Sequence, residues 1–325
     1  MRYTLLIIFV FGSKFSFAQN VTRVETDSSV IETKYFAYLN SIRIFNRLKG
    51  EDKTYYTDLY YKSKKIKEQS IFWNGYSVGI SNQFFENGEL KRKIDYDSGT
   101  ILYFDRHAYP FLEFQNLYKL KADSIIRSVY SNEFFEHYVS WDISRSYIYN
   151  EEESGNWTDS LKKSPTKFLL RYNIKFDGTT YKSLIEFELN LKGLLIRNSP
   201  DHIYGFERLR ENTSKSFKLN RDMAIALAKK EGLKETDSTK AATFLKWEDL
   251  KPDGIYQGRF LFYVIIKTNT IRDIHPEGRS SIISKFDAYI FNPWTAEFIE
   301  RKKMKTIRSW EQGSGNNTGL MPDDE

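Results

Sequence analysis

The stretch FFENGELKRKIDYDSGTILYFD, residues 84–105, decides the fold of the N-terminal third. Asn87-Gly88 and Asp97-Ser98-Gly99 are turn sequences, because Asn, Asp and Gly accept the positive φ angles that tight hairpins require. Short aromatic and β-branched runs, which favour strands, lie between these turns. Asn74-Gly75 extends the same pattern towards the N-terminus. The spacing predicts a meander of antiparallel strands.

The same stretch resembles the tyrosine/glycine hairpin repeats of MORN-type and antitoxin-like repeat proteins. In such proteins the repeat is a surface or a scaffold. The resemblance therefore implies no catalysis.

Upstream of the meander, apolar residues recur every three or four positions from Ile31 to Leu48. This spacing fits one face of a helix, which Asp27 or Ser28 would cap. Ser41 to Leu48 also fits a strand. We expect residues 19–110 to form an N-terminal domain of one helix and a hairpin meander.

Downstream, the pattern predicts two α+β units, at residues 111–200 and 214–307. The first would contain a helix at Phe111–Tyr138 followed by strands at Trp141–Tyr149, Lys167–Phe176 and Tyr181–Ile196. The second would contain a helix at Arg221–Glu231, capped by Asn220, and strands at Ala242–Trp247, Arg259–Thr268, Ser284–Asn292 and Ala296–Lys303. Residues 308–325 contain few apolar side chains, which predicts a disordered tail.

The two predicted units share sequence features that indicate an internal repeat. YKLKADSIIRS from Tyr118 matches FKLNRDMAIAL from Phe217, with Asp123 and Asp222 at equivalent positions. Near the ends, IEFELNLKGLLIRN from Ile185 parallels FDAYIFNPWTAEFIER from Phe286. The expected fold is therefore α+β, with an N-terminal antiparallel β-meander followed by two tandem helix-on-antiparallel-sheet units.

The second unit also resembles a PepSY or PepSY-like domain. LNRDMAIALAKKEGL, residues 219–233, matches the helix that opens that family, and Phe291–Glu297 occupies its closing turn. Thr295 and Glu297 fit the family pattern, whereas Asn292 and Ala296 stand where Asp and Gly are usual. The resemblance implies a cystatin-like α+β fold. It also implies an exported or envelope protein that binds or restrains other proteins, sometimes as a protease propeptide.

The N-terminus, MRYTLLIIFVFGSKFSFAQN, has the pattern of a signal peptide. Arg2 precedes an apolar run at Tyr3–Phe11, and Ser16-Phe17-Ala18 offers the small residues that a signal peptidase reads. We expect residues 1–18 to be removed and the mature protein to be periplasmic or secreted. The alternative, a membrane anchor, is disfavoured because the run is short for a bilayer. No later segment is long and apolar enough for a transmembrane helix.

Composition excludes several classes of function. The chain has 49 basic and 43 acidic residues and a net charge of +6, a mixed surface rather than a nucleic-acid footprint. It has no cysteine, so disulfides, thiolate nucleophiles, iron–sulfur clusters, cysteine zinc sites and lipidated cysteine anchors are excluded.

Catalytic patterns are few, and each has a simpler structural interpretation. Gly75–Gly79 matches the G-x-S-x-G nucleophile elbow with Ser77 at its centre, but an elbow needs a helix after it and the sequence predicts a hairpin. Asp95, Asp97 and Gly99 partly match a calcium loop, although a turn fits better.

Histidine and lysine patterns are equally weak. Glu133 and His137 are one helical turn apart, but the four histidines, His107, His137, His202 and His275, show no metal spacing. The basic run Lys62–Lys67 could contact acidic lipid or polysaccharide, but fits a strand end protected by lysines. Trp294 is either an exposed aromatic anchor or packed on its own sheet.

No catalytic, cofactor-binding or metal-ligating residue is nominated. We expect an exported, non-enzymatic binding or regulatory protein of the bacterial envelope, without a cofactor, whose ligand is a protein, a peptide or a cell-wall component. One alternative is an exported hydrolase of unrecognised type, with a deep pocket that contains converging carboxylates or a Ser–His pair such as Ser77 with His107. Another is a structural or assembly subunit, and the sequence does not indicate the oligomeric state.

Overall fold

The computed structural model describes residues 20–73, 76–152, 161–197, 203–210, 214–250, 255–275, 278–311 and 314–323. The predicted signal peptide at residues 1–18 lies outside them. The fold is mixed and strand-rich, with 52% strand and 13% helix. The chain divides into two compact units, one of Met1–Asp97 with Ile101–Asp105 and one of Ser98–Thr100 with Arg106–Glu325.

The first unit is built on one eight-stranded antiparallel sheet in which each strand pairs with the next along the chain. Its strands are β1 (Asn20–Glu25), β2 (Ser29–Phe36), β3 (Ser41–Leu48), β4 (Lys53–Tyr60), β5 (Ile66–Trp73), β6 (Tyr76–Phe84), β7 (Leu90–Asp95) and β8 (Thr100–Phe104). Gly88 and Gly99 have φ angles of 97° and 66° at two of the turns. The predicted meander is confirmed.

The predicted helix at Ile31–Leu48 is wrong. These residues form β2, a short 3-10 turn at Ala37–Leu39, and β3. Asn40, at a φ of 49°, reverses the chain so that Phe36 pairs with Ser41. The segment is rich in Ile, Tyr and Phe, whose branched or aromatic side chains favour strands, and this preference outweighs the helical spacing.

The second unit contains three helices and two antiparallel sheets among the residues described. The helices are α1 (Leu112–Val129), α2 (Asn132–Tyr138) and α3 (Arg221–Lys230). The four-stranded sheet consists of β9 (Val139–Trp141), β10 (Tyr147–Tyr149), β11 (Lys167–Phe176) and β12 (Thr179–Asn190), in the order β10-β11-β12 with β9 also paired to β11.

The six-stranded sheet follows α3 in the chain. It consists of β13 (Ala242–Asp249), β14 (Gly258–Asp273), β15 (Ser280–Phe291), β16 (Phe298–Glu311), β17 (Ser314–Asn317) and β18 (Met321–Pro322). The order is β13-β14-β15-β16-β17, and β18 also pairs with β16. Both predicted α+β units therefore lie within the second compact unit.

Helix ends follow local capping chemistry. The Asn220 side chain accepts a hydrogen bond from the Met223 backbone N–H at 2.9 Å, which confirms the predicted cap of α3. The helix predicted at Phe111–Tyr138 is divided in two, because the Ser131 hydroxyl caps α2 by accepting from the Phe134 N–H at 3.0 Å.

The disordered tail predicted for residues 308–325 is wrong for the part that the structure describes. Strand β16 continues to Glu311, and β17 and β18 both pair with it. Leu320 packs against the buried cluster of Leu261, Tyr263, Ala288, Ile290 and Met304. The composition of the tail does not predict these strands, because the backbone of β16 supplies the hydrogen-bond partners of β17 and β18.

Aromatic side chains fill the core of the second unit. Tyr118 of α1 stacks on Phe168 of β11, with ring centroids 3.4 Å apart. Phe176 of β11 meets Phe262 of β14 at 5.4 Å. The helical layer and both sheets therefore share contacts through one aromatic core.

We predict that Ala296→Gly stabilises the protein. Ala296 has a φ of 63°, a left-handed conformation that costs L residues about 1–2 kcal/mol, while glycine loses about 0.5–1 kcal/mol of chain entropy on folding. The expected net gain is roughly 0.5–1 kcal/mol in the free energy of unfolding, measured in urea. Ala226→Gly, in the exposed middle of α3, is the control and should lose about 1 kcal/mol. A lower free energy of unfolding for Ala296→Gly would contradict the positive φ of this turn.

We predict that deletion of residues 314–325 destabilises the second unit. The deletion removes β17, β18 and the contact of Leu320 with the buried cluster, and it exposes an edge of β16 to pairing with other chains. The expected result is a Tm lowered by several degrees, together with concentration-dependent association in sedimentation. Deletion of residues 324–325 alone should change neither, and an unchanged Tm in the longer deletion would refute the role of the tail.

Candidate functional site

The candidate site is a cavity of about 380 Å³ in the second compact unit. Three stretches of chain supply most of its lining: residues 207–210, Tyr256 to Arg259, and the turn from Asn292 to Glu297 that joins β15 to β16. Leu250, just after β13, adds an apolar side chain. The six-stranded sheet thus places one strand start and one turn at the cavity.

Trp294 connects the cavity to the aromatic core. Its side chain is 1% exposed, stacks on Tyr130 at 5.8 Å and packs at 4.5 Å from Phe217. Of the two alternatives left open by the sequence, Trp294 is therefore the packed residue and not an exposed anchor. Its indole N–H is aimed at a carboxylate.

That carboxylate belongs to Glu207. Its Oε2 atom accepts hydrogen bonds from the Trp294 Nε1 at 2.8 Å and from the Phe260 backbone N–H at 2.9 Å. The Glu207 backbone N–H donates to the Tyr130 hydroxyl at 3.0 Å, and that hydroxyl donates to the Gly205 carbonyl. The carboxyl is therefore held by the start of β14 and by the turn that carries Trp294, and the Glu207 backbone is held by Tyr130.

The environment of Glu207 sets its protonation. Burial raises its pKa to about 7, against the hydrogen bonds from Phe260 and Trp294 and the positive charge of Arg259, which lower the pKa. Both donors use Oε2, so a proton taken up by this carboxyl belongs on Oε1. Near neutral pH the carboxyl exists in both forms, and each form presents a different hydrogen-bonding group.

The lining contains three arginines, Arg208, Arg210 and Arg259, and two glutamates, Glu207 and Glu297. Arg259 is paired with Glu248 of β13 through its Nε at 3.0 Å and its Nη2 at 2.8 Å. Arg208 lies over the ring of Tyr256, with its Cζ atom 5.7 Å from the centroid. Arg210 also lines the cavity. The site is therefore suited to a polar or charged ligand rather than to an oily one.

The turn beside the cavity, Asn292 to Glu297, is held by its own hydrogen bonds. The Asn292 Oδ1 accepts from the Trp294 N–H at 2.9 Å and the Thr295 N–H at 3.3 Å, as an Asp carboxylate would. Ala296 has a positive φ of 63°, a conformation that glycine adopts readily. Thr295 donates its hydroxyl hydrogen to Glu297 at 3.0 Å.

Ser77 does not occupy a nucleophile elbow. It lies on β6 opposite Phe72 of β5. Strand β6 continues to Phe84, and its second half pairs with β7. An elbow requires a helix directly after the serine. Gly75, the first glycine of the motif, lies outside the described residues, and Ser77 and His107 belong to different compact units.

The acidic and histidine patterns have structural roles. Asp95 accepts from the Asp97 N–H, and Asp97 accepts from the Gly79 N–H, each at 3.0 Å, so both carboxylates hold the turn between β7 and β8. His137 Nδ1 lies 2.8 Å from the Glu133 carbonyl within α2. His275 Nε2 lies 2.7 Å from Asp273.

In the part of the chain that the structure describes, no group of three or more His, Asp or Glu side chains is arranged to hold a metal ion. His202 lies outside that part. The basic run Lys62–Lys67 forms a turn leading into β5, in which Lys64 covers the Tyr61 ring at 4.5 Å and Lys67 lies 3.5 Å from the buried Asp58 carboxylate.

Sequence reasoning located the closing turn of the cavity but missed Glu207. The segment from Ile203 to Arg210 has no helix or strand period, and the partners of Glu207 come from positions far away in the chain. The only local signal is the aromatic pair Tyr204 and Phe206 directly before it.

The chain matches no protein-family model, no curated protein and no solved structure. Within the described residues, no helix has both the length and the apolar character needed to span a bilayer.

We predict that Glu207→Gln changes the pH dependence of stability. A folded pKa of about 7 against an ordinary 4.5 means that the folded state binds the proton more tightly, so this stabilisation is present below pH 4.5 and is lost as pH rises through 7. Glutamine keeps the acceptor and carries no charge. Above pH 7 the variant should be up to about 3 kcal/mol more stable than the wild type, with little difference near pH 4.5.

Urea unfolding at a series of pH values measures this difference. Glu231→Gln, an exposed position just after α3, removes the same charge and should shift stability by a small amount at every pH. A Glu207→Gln variant that is less stable than the wild type at high pH would show that the folded state needs the charged carboxylate.

Proposed function

We propose that this chain is an exported, non-enzymatic binding or regulatory protein of the bacterial envelope, which holds part of a protein, peptide or cell-wall ligand in the cavity around Glu207. The observation that carries the proposal is the cavity itself, whose polar groups are fixed before any ligand arrives. Its volume of about 380 Å³ falls within the usual range of sites for small ligands or for a side chain of a larger one.

Preorganisation supports binding at this place. The Glu207 carboxyl, the Trp294 ring and the Asn292 turn are each held by two or more contacts within the protein. Such groups lose little conformational freedom when a ligand binds, so more of the contact energy appears as affinity. The mixture of guanidinium, carboxyl, amide and hydroxyl groups favours a ligand with several polar atoms.

The tandem, PepSY-like organisation is part of the proposal. Its support is the similarity of two turns: Asn190 Oδ1 accepts from the Lys192 and Leu194 N–H groups, as Asn292 Oδ1 does from Trp294 and Thr295. Gly193 and Ala296 both have positive φ, at 72° and 63°. Each turn ends a strand, β12 or β15, that pairs with the strand before it.

The helices support the repeat less well. Tyr118 lies inside α1, which begins at Leu112, whereas Phe217 precedes α3, which begins at Arg221. Asp123 is buried and accepts from the Tyr172 hydroxyl at 2.7 Å, whereas Asp222 is exposed in the first turn of α3. The proposed duplication therefore rests on the sheets and their turns.

The test is a binding screen against peptides and soluble cell-wall fragments, read by thermal shift and then by calorimetry. We expect at least one class to bind, and Arg208→Ala/Arg210→Ala to weaken that binding about tenfold or more, because charge-assisted contacts carry much of the affinity of polar sites. Lys62→Ala/Lys65→Ala removes the same charge from the first unit and is the control. Binding that is insensitive to the arginine pair, or absent altogether, would contradict the proposal.

A further inference from the structure

We infer that the first compact unit carries a further binding site, a shallow depression that takes one sugar ring of a neutral oligosaccharide against the exposed indole of Trp73. The depression has a volume of about 230 Å³. All of its lining belongs to the eight-stranded sheet and its turns, so the site does not involve the cavity around Glu207. The lining residues are Lys53, Ile71, Trp73, Val78, Gly79 and Asp97.

Strand alternation leaves Trp73 outside the aromatic cluster of this unit. Phe72, the residue before it, meets Tyr56 at 5.7 Å, and Tyr56 meets Phe45 at 5.4 Å. Successive side chains of a strand point to opposite faces, so Trp73 lies on the other face of β5. There it is 36% exposed, and within the described residues no ring stacking or cation–π contact involves its indole. A broad, flat apolar surface is therefore open to a ligand.

A bulge beside Trp73 keeps the depression open. The register between β5 and β6 shifts between Gln69 and Ile71. Gly79 of β6, near this shift, has a φ of 60°, and a Cβ atom added there would lie 3.6 Å from the Ile71 side chain. Because glycine has no side chain, the space beside Ile71 remains available to a ligand. Bulges of this kind commonly shape binding sites in sheets.

Two side chains of opposite charge line the same depression. The Asp97 Oδ1 accepts from the Gly79 N–H at 3.0 Å, which fixes the carboxylate and leaves Oδ2 without a hydrogen bond to any residue that the structure describes. Lys53 lies opposite Trp73 in the register of β4 and β5, and among the same residues it forms no ion pair. The site therefore offers a hydrogen-bond acceptor and a donor with no net charge.

This combination favours a sugar over other ligands. Opposite charges give neither an anion nor a cation an advantage, and their presence disfavours a wholly apolar ligand. Strands β5 and β6 are each paired on both sides, so a peptide cannot bind them by adding a strand. A sugar ring with equatorial hydroxyl groups has a C–H face that covers an indole. Its hydroxyl groups can donate to a carboxylate and accept from an ammonium group.

The size of the depression sets how much of the ligand it holds. Its volume of about 230 Å³ is below the roughly 300–1,000 Å³ of sites that enclose a drug-sized ligand. One sugar ring can therefore lie on Trp73, while the neighbouring rings of the oligosaccharide remain outside the depression. The site is thus suited to a unit within a longer glycan chain.

The experiment titrates cellohexaose and chitohexaose, two uncharged oligosaccharides, into the full mature chain. Calorimetry gives the affinity, and the NMR signal of the Trp73 indole N–H, assigned with Trp73→Tyr, locates the ligand. We expect at least one of the two to bind and to shift that signal saturably. Added NaCl should leave the affinity unchanged, because the ligand carries no charge. A hexamer of β-1,4-linked glucuronic acid, which has a carboxylate on each ring, should bind no more tightly.

Variants separate the flat ring from apolar character and from damage to the fold. Trp73→Leu keeps an apolar side chain and should weaken binding about tenfold or more, whereas Trp73→Tyr keeps a flat ring and should retain most of the affinity. Asp97→Asn keeps the acceptor for the Gly79 N–H and should weaken binding about fivefold. Tyr103→Ala, at an exposed aromatic residue of β8, is the control and should bind as the wild type does. Circular dichroism and Tm verify the fold of each variant.

The outcomes distinguish this inference from the function proposed for the second unit. Failure of both oligosaccharides to bind, equal affinity of Trp73→Leu and the wild type, or tighter binding of the glucuronic acid hexamer would each overturn it. Oligosaccharide binding that is lost in Arg208→Ala/Arg210→Ala but kept in Trp73→Leu would assign the ligand to the cavity around Glu207. That result would also overturn the site at Trp73, while the proposed function would stand.

Discussion

The second unit depends on one buried junction, in which the Glu207 carboxyl joins the Trp294 indole to the first residues of β14. A short segment without regular secondary structure, Ile203 to Arg210, contacts both the end of α1 and the six-stranded sheet at this point. Tyr130 fixes that segment through the Glu207 backbone, and Trp294 and Phe260 fix its side chain. The aromatic core holds the rings in position, so the carboxyl has one available orientation.

Burial of the Glu207 carboxylate costs free energy, and this cost explains its raised pKa. A buried carboxylate loses hydration that two hydrogen bonds only partly replace, and the result is a pKa raised to about 7. A protein that needed the junction only for stability could use glutamine there. The ionisable residue instead places a group that changes its charge near neutral pH in the wall of a cavity lined by arginines.

Local signals in the sequence were sufficient wherever a short segment determines its own structure. The Asn-Gly and Asp-Ser-Gly turns predicted the meander, the Asn220 cap predicted the start of α3, and strand β11 lies where its apolar run placed it. They failed at Ile31–Leu48, where strand propensity outweighed a helical spacing. They failed again at the tail, where an existing strand supplied the backbone partners.

Sequence could not locate the candidate site for a physical reason. Phe291–Glu297 was singled out from its resemblance to a closing turn, but Glu207, Arg259 and Tyr130 are brought together only by the packing of the six-stranded sheet, the end of α1 and the irregular segment that carries Glu207. The raised pKa of Glu207 cannot be read from the sequence either, because it arises from burial of the carboxyl by segments that are distant in the chain.

The most direct measurement is an NMR titration of the Glu207 side-chain carboxyl carbon, assigned by comparison with Glu207→Gln. A midpoint near pH 7, accompanied by a shift of the Trp294 indole N–H signal over the same range, is the predicted result. A midpoint near the ordinary value of 4.5, or an indole signal that does not follow the titration, would contradict the buried junction on which both the fold of the second unit and the proposed site depend.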